Sequence, residues 1–382
     1  MKIALIHDWL TGMRGGEKCL EIFCRLFPEA DIYTLIHAIG KLSPVIESMD
    51  IRTSFLQRIP GIEKSYRYFL PLMPFAARRF DLEGYDLILS SSHCVAKSVR
   101  VPKNAVHLSY CFTPMRYIWD QYDEYFNDKK SGVTTRLAMA FLRPWLQRWD
   151  VKTSQDVTQF VAISHHVRKR IEQYYGRSAD VIYPPVDTGF FTPDENHSVG
   201  DYFLMISAFA PYKRLDLAVE AFNELGYPLK IIGEGQDSLL LREMASSNIE
   251  FLGWRSDEEI RSWYSGCRAF IFPGEEDFGI APLEAQAMGR PVIAFGKGGV
   301  LETIIPEAAT SKPEFGFSDE KIARPTGLFF HEASSDALVS SVRYFESVES
   351  RFDPSAARQN ALMFDSNVFA KKIRKLVMSQ AP

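Results

Sequence analysis

Two glutamates eight positions apart, Glu276 and Glu284, lie in the stretch of the chain with the clearest chemistry. The stretch follows residues 269–272, an apolar run that is typical of a buried strand. Pro282 favours the start of a helix and Gly289 its end. We therefore expect Glu276 on a loop and Glu284 in the first turn of a helix, where both carboxylates can accept hydrogen bonds from the hydroxyl groups of a sugar.

The same loop contains groups that can bind phosphate. The backbone N–H groups near Phe278, Gly279 and Ile280 begin the expected helix and have no acceptor within it. They lie at the positive end of the helix dipole, which favours an anion. Amides for phosphate beside carboxylates for hydroxyl groups predict a receptor for a sugar joined to a nucleoside diphosphate. The alternative is an ordinary crossover helix whose acidic residues only stabilise its N-terminus.

These residues also resemble a known motif, the paired-glutamate region of the retaining glycosyltransferases of group 1, or family 4. The matching positions in this sequence are Glu276, Phe278, Gly279, Pro282, Glu284, Ala285, Gly289 and Pro291. The resemblance implies a GT-B fold, in which two doubly wound α/β domains with parallel sheets face each other across a cleft. It also implies a metal-independent reaction without a cofactor, in which Glu276 contacts the donor sugar and Glu284 the ribose.

A second segment that the resemblance assigns to the donor follows the apolar run 203–207. Lys213 is expected to contact the donor diphosphate, because cations stabilise the charge that builds on phosphate oxygens as a nucleoside diphosphate leaves. Ser207 lies at the start of this loop. Arg214 would supply a second catalytic cation, unless it only pairs with Asp216 at the surface.

The nucleobase of the donor is assigned to a third segment. Gly253 and Trp254 resemble the family loop that closes over the base, where backbone groups read the base edge and the indole can stack on it. In the alternative interpretation Trp254 is a core residue, and Ser256 begins the next helix in a capping box with Glu259. The two interpretations of the loop are compatible.

A metal site is the alternative interpretation of the acidic run Glu275, Glu276 and Asp277. Oxygen ligands of this kind suit Mg²⁺ or Mn²⁺. The run is followed by a glycine turn and a helix rather than enclosed by strands as a D-x-D motif, so we expect no metal.

The first half of the chain contains a glycine-rich turn directly after its first apolar run. Gly12, Gly15 and Gly16 allow the backbone to approach a ligand closely. The resemblance places Gly15 and Gly16 against the donor phosphate and leaves Arg14 for the acceptor. The spacing does not match a dinucleotide-binding fingerprint, and a purely structural turn is the alternative.

Residues 110–120, YCFTPMRYIWD, resemble a stretch of bacterial mannosyltransferase-like members that build surface polysaccharides. The resemblance implies that Thr113, Arg116 and Asp120 bind the acceptor.

The chain departs from the family pattern at two positions. Phe112 stands where the family has a histidine that touches the transferred sugar, and Ala208 stands where many members have a phosphate-binding arginine. The departure at Phe112 indicates an altered donor, a weak enzyme or an engineered variant. At Ala208, either Arg214 takes over the work of the missing arginine or the diphosphate is held less tightly. Both departures motivate the alternative of a protein that no longer catalyses.

A basic and aromatic segment, residues 51–80, suggests a membrane as partner. It carries six cations against one acidic residue, Glu63, with six aromatic residues between them. Such a segment suits the headgroup region of an anionic membrane, where each cation contributes about 1 kcal/mol. The alternative is a solvated face whose aromatic residues belong to the core.

Composition and apolar patterning supply the elements that position these groups. Short apolar runs without polar alternation recur between helical segments, which predicts parallel strands covered on both faces. We expect an N-terminal acceptor domain over 1–187, a nucleotide-sugar domain over 188–360, and a last helix within 361–382 that returns to the first domain. The 382 residues carry a net charge of -4, which argues against nucleic-acid binding, and five cysteines without metal spacing. No segment is long and apolar enough to span a membrane, so a cytoplasmic protein peripheral to the inner face of the membrane is expected.

Together these features predict a retaining hexosyltransferase that moves mannose from GDP-mannose to a lipid-linked oligosaccharide. UDP-glucose or UDP-galactose as donor is the near alternative. A catalytically inactive GT-B scaffold is the alternative from another class, and an NAD-dependent oxidoreductase is the most distant one.

Overall fold

The computed structural model describes residues 1–126, 132–193, 198–307 and 324–380. The chain forms two compact units: the first comprises Met1–Pro184 and Asn367–Pro382, and the second Pro185–Ser366. The predicted boundary after residue 360 falls inside the helix Pro354–Leu362, so this helix stays whole within the second unit.

The first unit contains a seven-stranded sheet in which all pairs are parallel. Its strands are β1 (Ile3–His7), β2 (Asp31–Thr34), β3 (Ile51–Thr53), β4 (Leu87–Ser92), β5 (Val106–Cys111), β6 (Gln159–Ala162) and β7 (Ala179–Val181). They lie in the order β3-β2-β1-β4-β5-β6-β7. The order reverses between β1 and β4, and the carboxyl ends of strands at such a reversal border the crevice where open α/β sheets bind ligands.

The second unit repeats this arrangement with a six-stranded parallel sheet. Its strands are β8 (Phe203–Ile206), β9 (Leu229–Ile232), β10 (Ile249–Gly253), β11 (Phe270–Phe272), β12 (Val292–Phe295) and β13 (Gly327–Phe330). Their order is β10-β9-β8-β11-β12-β13, so the reversal lies between β8 and β11. The predicted α/β fold with two parallel sheets is confirmed.

Helices connect the strands in both units. Those of the first unit are α1 (Gly15–Leu26), α2 (Pro44–Glu47), α3 (Ile62–Ser65), α4 (Met73–Ala77), α5 (Tyr122–Tyr125), α6 (Val133–Ser154) and α7 (His165–Tyr175). Those of the second are α8 (Leu215–Leu225), α9 (Ser238–Met244), α10 (Asp257–Gly266), α11 (Ile280–Ala287), α12 (Ser335–Val348) and α13 (Pro354–Leu362). Short 3-10 helices cover Phe55–Arg58, Tyr66–Leu72, Ala96–Ser98, Pro211–Lys213, Gly299–Glu302 and Glu349–Arg351.

The last helix, α14 (Ser366–Met378), packs on the first unit. The ring of Phe369 stacks on Phe23 with centroids 5.8 Å apart and meets Tyr110 edge-on at 5.5 Å. Ile373 and Val377, on the same face of the helix, are also buried. This apolar face explains why α14 belongs to the first unit although it follows the second in the sequence.

Most aromatic residues of the basic segment 51–80 serve the core of the first unit. Tyr66 is buried, and Phe55, Phe69 and Phe80 pack against the same core cluster. Most of the aromatic side chains that suggested a membrane partner are therefore not available at the surface. For them the alternative applies, in which a solvated face covers aromatic residues of the core. Among the described residues, no helix is both long and apolar enough to cross a membrane.

A buried ion pair ties α6 to the loop after β4. Lys97 Nζ lies 2.6 Å from Asp150 Oδ1, and the two side chains are only 1% and 0% exposed. Asp150 also accepts hydrogen bonds from Trp119 Nε1 at 2.9 Å and from the Tyr175 hydroxyl at 2.8 Å. A carboxylate with three partners compensates for the cost of taking both charges out of water.

Replacing Asp150 by alanine is expected to lower the free energy of unfolding by about 3–5 kcal/mol, because the Lys97 ammonium is left buried without its counter-charge. Urea denaturation of the variant and the parent measures the loss. The control is Asp156→Ala, which removes the exposed partner of Arg78 and should cost less than about 1 kcal/mol. Equal losses in the two variants would contradict the structural role of the buried pair.

Candidate active site

Lys213 and Glu276, the residues with the strongest expected roles, lie side by side in the second unit. Lys213 ends the short helix after β8 and Glu276 follows β11, the two neighbouring strands at which the strand order reverses. The Lys213 ammonium donates a hydrogen bond to Glu276 Oε1. Their side chains are 19% and 16% exposed. A half-buried cation and carboxylate thus meet at the edge of the sheet where ligands bind.

Two glycines bring the loops that carry this pair together. A Cβ atom on Gly274 would lie 2.8 Å from the carbonyl oxygen of Tyr212 and 2.9 Å from Lys213 Cα, so a side chain cannot be accommodated. On the other side, a Cβ atom on Gly299 would lie 2.4 Å from Phe278 Cα. The Gly299 N–H donates to the carbonyl oxygen of Glu276 at 2.8 Å. These glycines were not among the predicted site residues, although their place soon after buried apolar runs is a signal for close backbone approach.

A third close contact fixes the loop that begins at Ser207. A Cβ atom on Gly233, which follows β9, would lie 1.9 Å from the carbonyl oxygen of Ser207. Ser207 N–H donates to the Ile232 carbonyl at 3.0 Å, and its hydroxyl turns back to the carbonyl of Ala208 at 3.2 Å. Ala208 itself is exposed.

The helix that carries Glu284 begins earlier than predicted. Gly279 has a φ of 103° and caps α11, whose first residue is Ile280. Pro282 is therefore the third residue of the helix and Glu284 the fifth, one position beyond the first turn. The helix ends as predicted, with Gly289 in a left-handed conformation after it (φ 75°).

Glu284 lies deeper in the unit than Glu276. Its exposed fraction is 9%, and its Oε2 accepts a hydrogen bond from the Tyr264 hydroxyl at 3.2 Å. Burial raises the pKa of Tyr264, and the Glu284 charge adds to the effect, so that the phenol stays a donor. The hydroxyl thus holds the carboxylate in a fixed orientation.

Arg214 follows Lys213 but is engaged elsewhere. Its φ of 53° makes it the one non-glycine residue with a positive φ in the described part of the chain. Its guanidinium donates to Asp216 from Nε at 3.1 Å and from Nη2 at 3.0 Å. The pairing with Asp216 that was an alternative in the sequence is therefore present, and Lys213 is the cation that meets Glu276.

The predicted nucleobase loop ends β10. Gly253 has a φ of 71°, and its carbonyl accepts a hydrogen bond from Gly233 N–H at 3.0 Å. Trp254 is 72% exposed, so its interpretation as a core residue is wrong. The capping box of Ser256 and Glu259 is present as predicted. An exposed indole beside a glycine can stack on a planar ligand.

Two carboxylates of the acidic run face lysine side chains. Glu275 faces Lys297 at 3.0 Å, and Glu276 faces Lys213. Within the ranges that the structure describes, no three or more His, Cys, Asp or Glu side chains are grouped so as to hold a metal.

In the first unit, a buried carboxylate organises the carboxyl ends of β1 and β4. Asp8 is completely buried. Its Oδ2 accepts from the backbone N–H groups of His93 and Cys94 at 2.7 and 2.9 Å, and its Oδ1 from Val95 and Ala96 at 2.6 and 2.7 Å. The ring of His93 also meets this carboxylate, with Nδ1 3.2 Å from Oδ2.

A second histidine lies beside the first. His7 Nδ1 is 2.7 Å from the Ser91 hydroxyl, and its Nε2 is 3.7 Å from Glu17 Oε1. Burial raises the pKa of Glu17, but the neighbouring His7 ring outweighs this effect, and the pKa lies below its ordinary value. His7, Asp8 and His93 were not predicted as site residues; the signal was polar residues directly after two buried strands.

The predicted glycine turn contacts this cluster. Gly15 and Gly16 are the first residues of α1, and Arg14 caps it. A Cβ atom on Gly16 would lie 3.4 Å from the Phe112 ring and 3.6 Å from His7 Cε1. The Phe112 ring also meets His7 edge-on, with centroids 6.5 Å apart.

The predicted acceptor residues lie in different settings. Thr113 is 2% exposed, and its hydroxyl has no hydrogen-bond partner among the described residues. Arg116 is near enough to His93 for its charge to lower the pKa of that ring. Asp120 is held by α7, where Arg170 Nε lies 3.1 Å from its Oδ2 and the Tyr174 hydroxyl donates to it.

The His93 ring predicts a pH dependence of stability. Burial lowers its pKa from 6.5 to about 4, and His7 and Arg116 act in the same direction against Asp8 and Glu17. Between these two values the unfolded chain binds a proton that the folded chain does not, so stability falls as the pH falls from 6.5 towards 4. From about pH 7.5 to about pH 5 this ring should account for a loss of about 2 kcal/mol.

Urea denaturation of the parent and of His93→Gln at both pH values measures this loss. The difference in unfolding free energy between the two proteins should shift by that amount, because the variant lacks the titrating ring. A difference that is the same at both pH values would show that the ring titrates normally.

Comparison with known proteins places these features in a family. Residues 193–361 match the family model of glycosyl transferases group 1. An "uncharacterized glycosyltransferase MJ1178" of Methanocaldococcus jannaschii is 27% identical over 152 residues, 38% of this chain and 42% of the relative. A "GDP-mannose-dependent alpha-(1-6)-phosphatidylinositol monomannoside mannosyltransferase" of Mycolicibacterium smegmatis is 31% identical over 180 residues, 39% of this chain and 47% of the relative. The chain thus spans less than half the length of each of these relatives.

Among solved structures, the Anabaena protein Alr3699/HepE in complex with UDP aligns with a TM-score of 0.69. The alignment covers 99% of this chain and 100% of that one at 15% identity, and it shows that the fold is shared. The matched residues 193–361 lie within the second unit, which contains Lys213, Glu276 and Glu284. The second unit of this chain therefore belongs to the glycosyl transferases of group 1, and the chain has the GT-B fold.

Proposed function

We propose that this protein is a retaining glycosyltransferase that transfers mannose from GDP-mannose to a lipid-linked oligosaccharide. The observation that carries the proposal is the Lys213–Glu276 pair at the strand reversal of the second sheet, on a unit matched by the group 1 family. A cation for the leaving diphosphate and a carboxylate for a sugar hydroxyl are the two groups that the reaction requires at one place.

Donor binding exchanges the partners of this pair. As the diphosphate enters, the Lys213 ammonium turns from Glu276 to the phosphate oxygens, and the carboxylate is released to accept from a sugar hydroxyl. The first N–H groups of α11 bind the phosphate from the other side. Glu284, oriented by Tyr264, accepts from the ribose, and Trp254 stacks on the base.

The chemical step needs no nucleophile from the protein. The bond from the anomeric carbon to the diphosphate breaks, and the acceptor oxygen forms its bond on the same face, so that the configuration is retained. The acceptor proton passes to an oxygen of the leaving phosphate. The protein contributes orientation and charge stabilisation, with the first unit, through Arg14, Thr113, Arg116 and Asp120, as the acceptor side.

Mannose and GDP are favoured by the Mycolicibacterium smegmatis relative, whose name specifies GDP-mannose and an acceptor built on phosphatidylinositol. UDP-glucose or UDP-galactose is the alternative donor, since the Anabaena structure holds UDP. An inactive scaffold is the alternative motivated by Phe112 and Ala208. We place the reaction at the inner face of the membrane, where a lipid-linked acceptor and a cytoplasmic nucleotide sugar meet.

Replacing Lys213 by alanine is expected to weaken GDP binding by about ten- to a hundred-fold, because a hydrogen bond to a charged group contributes about 1.5–3 kcal/mol. Binding of guanosine, which has no phosphate, should be unchanged. Calorimetric titration measures both, and Lys371→Ala, an exposed lysine of α14, is the control. Equal weakening of GDP and guanosine would place Lys213 away from the diphosphate.

Replacing Glu276 by glutamine is expected to lower kcat/KM for transfer from GDP-mannose by about ten- to a hundred-fold. The unfolding transition should stay as in the parent, and GDP binding should not be weakened, because Lys213 no longer has to leave a carboxylate. Transfer is measured with GDP-mannose, UDP-glucose and UDP-galactose, each with and without EDTA. Preference for a UDP-sugar would establish the alternative donor, and loss of transfer in EDTA would contradict a metal-independent reaction. GDP binding without transfer or donor hydrolysis would favour the scaffold.

A further inference from the structure

The longest helix of the first unit exposes a row of large apolar side chains. Val133, Leu137, Phe141 and Trp145 follow one another in α6 at intervals of four, so they lie on one face. Their exposed fractions are 61%, 68%, 86% and 40%. We call these four residues the α6 stripe. Single exposed apolar residues are ordinary, but a contiguous row of this length marks an interaction surface.

The α6 stripe is part of a broader apolar face. Ala138, Ala140 and Pro144 lie between its members and are also exposed. At its end the Trp145 ring stacks on Phe75, with centroids 6.0 Å apart and an interplanar angle of 19°. Phe75 is 56% exposed, and Leu72 in the same segment is 42% exposed. Two separate parts of the chain thus contribute to one surface.

The helix and the segment that form this face are themselves rich in cations. Between Val133 and Trp149, α6 contains Arg136, Arg143 and Arg148 and no aspartate or glutamate. The segment 51–80, which supplies Leu72 and Phe75, carries six cations and one acidic residue, whereas the whole chain has a net charge of -4. Positive charge is therefore concentrated where large apolar side chains are exposed.

We propose that the α6 stripe, with Leu72 and Phe75, inserts into the interfacial layer of an anionic lipid bilayer, with α6 parallel to the membrane plane. An apolar face flanked by cations has the composition of helices that bind at this depth. The charges within the 22 residues of α6 do not suit a helix that crosses the bilayer. The inference rests on the proposed function in one respect: a lipid-linked acceptor would require the protein to work at a membrane surface.

A second copy of this chain is a poorer occupant of the same surface. A two-fold contact places the same patch of both copies face to face. The arginines of α6 and the cations of segment 51–80 would then approach their own counterparts, which is unfavourable. Lipid phosphates bring the opposite charge to the same positions.

The surface that we propose to meet the membrane differs from the one expected from the sequence. The sequence indicated segment 51–80 through its aromatic residues, but Phe55, Tyr66, Phe69 and Phe80 pack into the core. The structure leaves only Tyr68 and Phe75 of that set exposed, at 85% and 56%. The apolar contribution therefore comes chiefly from α6, with segment 51–80 supplying cations beside it.

Sedimentation with lipid vesicles tests the proposal on the full chain without nucleotide sugar. The vesicles contain equal parts of phosphatidylglycerol and phosphatidylethanolamine, and phosphatidylcholine vesicles serve as the uncharged comparison. The affinity of the double variant Leu137→Glu, Phe141→Glu for the anionic vesicles should be lower than that of the parent by about tenfold or more. The matched control Leu239→Glu, Leu240→Glu changes two residues of the second unit that are 72% and 56% exposed, and it should bind as the parent does.

Binding of the parent should be weaker on phosphatidylcholine and should decrease with salt. The proposal is overturned if the parent does not bind the anionic vesicles, or if the α6 variant binds them as well as the parent does. A parent dimer that the α6 variant abolishes would assign the surface to a second copy instead. Calorimetry with GDP reports on the proposed function separately, because the substituted residues lie outside the donor site.

Discussion

The contact between two loops at Gly274 is the constraint on which the candidate site depends. A side chain there would collide with the backbone of Tyr212 and Lys213, so only glycine allows the loop after β11 to lie against the loop after β8. The contact brings the Lys213 ammonium to the Glu276 carboxylate, at the strand reversal where a parallel sheet leaves a crevice. Gly299 holds the other side of the Glu276 loop by the same means. The Lys213–Glu276 contact thus depends on two places where the backbones of neighbouring loops lie too close together for a residue with a Cβ atom.

The first unit uses the equivalent place in its own sheet with different groups. There a buried carboxylate, Asp8, gathers four backbone N–H groups after β4 and holds the ring of His93. Burial keeps that ring neutral at ordinary pH, so the ring offers hydrogen-bonding nitrogen atoms rather than a charge. This contrast fits the proposed division of labour, since the second unit would bind a diphosphate and the first a hydroxyl-rich acceptor.

Aromatic residues show how the same composition acquires different roles. Phe80 and Phe69 lie in a basic segment that suggested a membrane, yet they pack on the core of the first unit. Phe141 lies in a helix that the sequence did not single out, and it is 86% exposed. Composition reports which side chains are available for an apolar surface. Burial by neighbours distant in the sequence decides which of them remain available.

The sequence by itself determined the features that depend on near neighbours. The buried runs that became β1 and β8, the end of α11 at Gly289 and the loop position of Glu276 follow from local apolar patterning and local backbone preference. The fold class follows from the repetition of such runs. The strands β3 and β7 have three residues each, all exposed or half-buried, and no continuous apolar run in the sequence predicts them.

Only the tertiary structure decided which groups meet. The partners of Asp8 lie 85 to 88 positions away, and Lys213 and Glu276 are 63 positions apart. Trp254 is 72% exposed because none of the distant segments that the structure describes covers it. Strand order and loop contacts set these distances, and both depend on how remote parts of the chain pack against one another. A local pattern carries no information about that packing.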